Sequence, residues 1–139
     1  MIARIMSGAV LGIDGYVVEV EVNLAMGIPG MSLVGLPDAA VKESADRVAA
    51  AIKNTNLEFP VKRITVNLAP ADIRKEGSAF DLPIALGILA ASNVIAPERL
   101  KEFIFLGELA LDGTLRTIKG SIIIAHSLKG KKPNCPNQI

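Results

Sequence analysis

The stretch LPIALGILAA, Leu82 to Ala91, runs for ten residues without one polar side chain. A helix that is apolar on every face is stable only if it is buried on every face. Ten residues are about half of the ~20 needed to cross a membrane. The run must therefore be enclosed by other parts of a folded domain, and the rest of the chain must supply the cover.

A chain of 139 residues is long enough to do so. Half of it is hydrophobic, mean hydropathy is +0.43, and aromatics are only 4%. The apolar residues are mainly Ala, Val, Ile and Leu, a mix suited to buried strands under helices. SGAVLGIDGYVVEVEVNL reads as a hairpin turning at Asp14-Gly15. In its second strand Val18, Val20 and Val22 face one way, and Val17, Glu19 and Glu21 face the other. A Pro-Gly turn leads into a short strand around Met31–Val34. Residues 38–54 form the clearest helix, with Val41, Ala45, Val48, Ala49 and Ile52 inward and Lys42, Glu43, Asp46, Arg47 and Lys53 outward. Pro37 and Asp38 suit its start.

KRITVNLAP reads as a strand with Ile64, Val66 and Leu68 on one face, and the apolar run gives a second helix over 82–93. EFIFLGEL reads as a further strand, Asp112-Gly113 as a turn, Gly120–Leu128 as a helix, and NQI in the polar tail as the start of another strand. The expected fold class is α/β (α+β): one domain over 1–139, with a curved mixed sheet packed by helices 38–54 and 82–93, cut from something longer.

The net charge of +1 gives no global field to attract nucleic acid or a membrane, although local basic patches remain open. Cys135 is the lone cysteine, which excludes an internal disulfide and favours a reducing cytoplasm. Glu19 and Glu21 share a strand face but have no nearby third ligand, so they read as the wet side of a ribbon. His126, the one histidine, lies among Ile124, Ala125 and Leu128 and reads as structural or surface. No G-x-x-x-x-G-K-[ST] loop is present, so the P-loop cradle for nucleotide phosphates is missing.

RKEGSAFD, residues 74–81, leaves two readings open. Ser78 lies three positions from Lys75, and a desolvated lysine can act as base to a serine nucleophile. Alternatively Lys75 and Glu76 are solvated, Gly77 turns the chain, and Ser78 or Asp81 caps the next helix.

Three segments carry a family resemblance: GIPGMSLVGLPDAAVKES, ITVNLAPADIRKEGSAFDLPIALGIL and FLGELALDGTLRTIKG. Together they resemble the N-terminal domain of the Mg-chelatase-like AAA+ ATPases of the ComM/YifB type. That region is similar in turn to the proteolytic domain of Lon, with the ribosomal protein S5 domain 2-like fold. The resemblance implies an AAA+ module outside this chain that binds ATP and Mg²⁺, a hexameric assembly, and a role in DNA branch migration during natural transformation.

Lon-type proteases carry Lys-Asp-Gly-Pro-Ser-Ala-Gly before a helix. Lys75, Glu76 and Gly77 match its first three positions, Ser78 replaces the Pro, and Ala79 stands at the nucleophile. In the second motif Gly107, Glu108, Gly113 and Gly120 fall in register, which puts Ile122 at the base lysine. Both members of the dyad are thus replaced, and such pairs act as a unit. The expectation is a non-catalytic binding domain with no cofactor of its own. Its partners are then DNA, hexamer neighbours and the AAA+ module. Arg74, Lys75, Lys129, Lys131 and Lys132 are the candidate phosphate contacts, although near-neutral charge suits ordinary solvated side chains as well. The alternative is a residual hydrolase using Ser78 with Lys75 or Lys119.

Overall fold

The computed structural model describes residues 1–129. Lys131, Lys132, Cys135 and the NQI segment lie outside the described residues. Strands β1 (Ile2–Leu11), β2 (Asp14–Ala25), β3 (Gly30–Val34) and β4 (Arg63–Ala69) form a sheet in the order β1-β2-β4-β3. β1–β2 and β2–β4 pair antiparallel and β3–β4 parallel, so the sheet is mixed, as expected.

The hairpin turns two residues earlier than the sequence reading placed it. Leu11 pairs with Asp14, so the turn is Gly12-Ile13, with Gly12 supplying the positive φ of +66°. Gly15 serves a different need. A Cβ there would lie 2.9 Å from Ile124 Cα, and its amide donates to Ser127 Oγ at 2.8 Å.

The expected 38–54 helix is broken at Glu43 into α1 (Ala39–Lys42) and α2 (Ser44–Asn54). Asp38 caps α1 by accepting from the Val41 amide at 2.8 Å. The break falls where Arg47 reaches back to the Ala40 carbonyl at 3.1 Å, the acceptor that Ser44 would use in a continuous helix.

α3 (Asp81–Ala91) crosses the sheet against β1 and β2, with nine of its 11 residues buried, so the apolar run is enclosed as its composition demands. It packs closely because Gly87 meets Val22; a Cβ there would fall 2.5 Å from Val22 Cγ2. Val18, Val20 and Val22 join Ile64, Val66, Leu68, Val48, Ile84 and Ile88 in the main core.

The segment expected as the strand EFIFLGEL is mostly irregular. A 3₁₀ turn at Arg99–Glu102 is followed by a single parallel bridge, Met6 to Ile104, and only Glu108–Leu109 (β5) pairs, with Leu115–Arg116 (β6). The ladder does not extend past this bridge, and Ser7 Oγ donates to the Phe105 carbonyl at 2.8 Å. The turn around Asp112-Gly113 joins β5 to β6, and the Ala110 amide donates to the Thr114 carbonyl across it. α4 (Ser121–Leu128) covers the other face of the hairpin, where Met6, Val17, Ile124 and Leu128 form a small second core. Val17 is therefore buried rather than wet. Glu19 and Glu21 lie beyond the reach of α4 and hold Arg4 at 3.3 and 3.2 Å.

Candidate functional site

The two motifs singled out in the sequence dock side by side. The Gly107 amide donates to the Ala79 carbonyl at 2.9 Å, and the Leu82 amide donates to the Gly107 carbonyl at 3.0 Å. Behind this junction Asp81 is fully buried at the first turn of α3. Its carboxylate accepts from Ser44 Oγ (2.5 Å), Arg47 Nε (2.7 Å) and Nη2 (3.1 Å), and the Leu109 amide (3.0 Å). α2, α3 and β5 are thus fastened at one carboxylate. The charge-assisted bond to Asp81 raises the Arg47 pKa, so the guanidinium stays charged. The helix-capping role expected of Ser78 or Asp81 is not seen. Phe80 occupies the cap position without a side-chain bond, and Asp81 points into the interior. Arg47, expected on the solvent face of its helix, is Asp81's partner. An outward-reading helical wheel gave no sign of it.

Lys75 also departs from expectation. It has no exposed surface; its Nζ donates to the Gly35 carbonyl at 2.9 Å and to the Pro70 carbonyl. Its backbone bonds to the 35–38 loop on both sides, from its amide to Leu36 and from the Asp38 amide to its carbonyl, each 2.9 Å. Burial pulls its pKa below the ordinary lysine value, with Asp72 opposing. Lys75 is a staple between two loops, not a solvated phosphate contact, and among the described residues its ammonium donates to carbonyls and to no serine.

In front of the junction lies a cleft of about 690 Å³. Gly8–Leu11 of β1, Gly12 of the turn, Ala79, Phe80 and Ile124 line it, and Asp38, Arg74, Glu76 and Lys119 supply charge. Ala79, the residue at the nucleophile position of the resemblance, faces this cleft; Ser78 does not line it. Ile122, at the base position, is 82% exposed on α4 and also lies outside the lining. The structure therefore brings Ala79, Arg74 and Lys119 together and leaves Lys75 and Ile122 apart from them. Lys129 is exposed just beyond α4. Among the described residues no cluster of three or more His, Cys, Asp or Glu is placed to hold a metal, and no helix is long and apolar enough to cross a membrane.

Fold and cleft define the class: an α/β domain whose helix-covered mixed sheet borders a cleft lined by the charged 74–77 loop. The particular family follows from comparison with known proteins. Residues 20–135 match the family described as subunit ChlI of Mg-chelatase, and the chain belongs to this Mg-chelatase-like family. It is 53% identical over 121 residues to the competence protein ComM of Haemophilus influenzae, covering 87% of this chain and 24% of that protein. It is 50% identical over 114 residues to YifB of Escherichia coli, covering 82% and 22%. To Mb2921c of Mycobacterium bovis it is 42% identical over 135 residues, covering 97% and 26%. The chain thus spans about a quarter of the length of the curated relatives it matches.

Proposed function

We propose that this chain is a non-hydrolytic accessory domain of a Mg-chelatase-like ATPase, built on the S5 domain 2-like, Lon-type scaffold and used for binding. ATP and Mg²⁺ belong to an AAA+ module outside it, and DNA and hexamer neighbours are its partners. The observation that carries this reading is the cleft itself: Ala79 stands on its wall where a nucleophile is required, and Lys75 is committed to two backbone carbonyls. A scaffold keeps its core while its site changes chemistry, because function resides in the site.

DNA contact falls to exposed cations. Arg74 on the cleft rim and Lys129 past α4 satisfy that condition and Lys75 does not. Such contacts neutralise phosphates and read little sequence. Gel-shift titration of the 139-residue chain against duplex and branched DNA, at low and moderate salt, tests the reading. The expected result is salt-sensitive binding at micromolar protein. Arg74→Ala and Lys129→Ala should each weaken it and reduce the salt slope by about one. No binding at micromolar protein and low salt contradicts DNA contact by this domain.

A further inference from the structure

The floor of the cleft is the outer edge of β1, unpaired past Met6 among the described residues, with Gly8 buried and Val10 and Leu11 exposed. The Phe105 amide donates to the Met6 carbonyl from outside the sheet, so Met6 directs its main-chain groups outward. By the alternation of an antiparallel ladder, Gly8 and Val10 do the same. Segment 104–106 covers the edge at Met6 and stops there. Among the described residues no backbone group pairs with the outward N–H and C=O groups of Gly8 and Val10.

A second polar group faces the same space. Tyr16 is 8% exposed and lines the cleft. Its hydroxyl has no hydrogen-bond partner among the described residues, yet it is not sealed from solvent. Burial and the Glu76 carboxylate both raise its pKa, so it remains a protonated donor. Ala9 and Tyr16 are cross-strand neighbours on the α3 face, and Gly8 lies on the opposite face against Ile124. The open edge therefore runs along the bottom of a trough, with Ala79 and Phe80 on one wall and Ile124 and Lys119 on the other.

We propose that this trough binds an extended peptide segment of another polypeptide, added to β1 as a new outer strand of the sheet. Gly8–Leu11 offers about 13 Å of edge at strand rise, and strand addition satisfies main-chain groups on both partners at once. Arg74 and Lys119 are balanced by Asp38 and Glu76 along the lining. Net charge therefore gives a polyanion no reason to fill the trough, while the paired donors and acceptors of the edge match a peptide backbone. Of the proposed DNA contacts, Arg74 lies on the rim of this trough and Lys129 lies outside its lining.

The test titrates the 139-residue chain with a fluorescein-labelled octapeptide of alternating Thr and Val, and with the same peptide N-methylated at alternate residues. The plain peptide should bind in the micromolar range, and the N-methylated one at least about tenfold more weakly, the loss expected for one or more main-chain hydrogen bonds. Val10→Pro removes one outward amide and leaves the groups facing β2 on the neighbouring residues, so it should weaken the plain peptide comparably. Tyr16→Phe should weaken it several-fold, which keeps the test open if the proline variant does not fold. Equal binding of both peptides, or no binding of either, overturns the proposal. So does a single-stranded oligonucleotide that shifts the Gly8–Gly12 amide resonances while the peptide does not.

Discussion

Replacing Asp81 by Asn should remove about 3–5 kcal/mol of folding stability, the range for breaking a buried ion pair from one side. Asp81 has no exposed surface and accepts from Ser44, Arg47 and the Leu109 amide. Asparagine keeps the shape but loses the charge that holds the guanidinium, and its amide NH₂ turns a donor toward donors. With native stabilities of about 5–15 kcal/mol, this is a large share of the whole. The neighbouring Arg47–Glu43 pair makes the contrast. Glu43 is 71% exposed at 3.4 Å, and Glu43→Gln should change stability by under about 0.5 kcal/mol. Urea unfolding of the two variants checks both values. Converting Arg47 and Asp81 together to apolar residues should recover part of the loss, because the cost lies in the orphaned charge rather than in the absence of the pair.

Lys75→Ala should cost about 3–4 kcal/mol, from the buried stem and from two carbonyls left without their donor. Arg74→Ala, one residue away and exposed, should stay within about 0.5 kcal/mol. Denaturation midpoints separate the two, and they also separate two ways of losing DNA binding. Arg74→Ala weakens binding in a folded chain, whereas Lys75→Ala does so only as far as it unfolds it. The pH dependence has a definite sign. The folded pKa of Lys75 lies below its ordinary 10.5, so across the window between them the unfolded chain holds more protons. Stability contributed by this group then rises with pH through that window. The gap between the parent and Lys75→Ala should accordingly widen at alkaline pH.

Much of the fold was legible from residue pattern. The alternation of Val18, Val20 and Val22 and of Ile64, Val66 and Leu68 marks the central strands, and the run from Leu82 marks the enclosed helix. What escaped the sequence is long-range. Asp14-Gly15 carries a turn signal as good as that of Gly12-Ile13, but packing of α4 claims Gly15 for a close approach. Arg47 falls at an outward position on an ideal helix, and only the placement of Asp81, 34 residues later, draws it inward. Phe103–Leu106 has strand-forming residues, yet it makes a single bridge to β1, at Met6, and Ser7 Oγ donates to its Phe105 carbonyl.

The candidate site was legible in part. The register that put Ala79 at the nucleophile position placed it on a real cleft wall. Local composition gave no warning that Lys75, flanked by Arg74 and Glu76, is buried, because its acceptors come from Gly35 and Pro70. Nor does any motif signal the open edge of β1, which arises from where the segment after the 3₁₀ turn stops pairing.

The central claim is that the cleft binds and does not hydrolyse, and an active-site-directed fluorophosphonate tests it most directly. The chain is incubated with the reagent at neutral and mildly alkaline pH and read by intact mass and peptide mapping. The expected result is an unmodified chain, identical to Ser78→Ala treated in parallel, since Ala79 occupies the cleft wall and the Lys75 ammonium is held by carbonyls. A stoichiometric adduct on Ser78 that disappears in Ser78→Ala would contradict the claim and restore a working nucleophile to this loop.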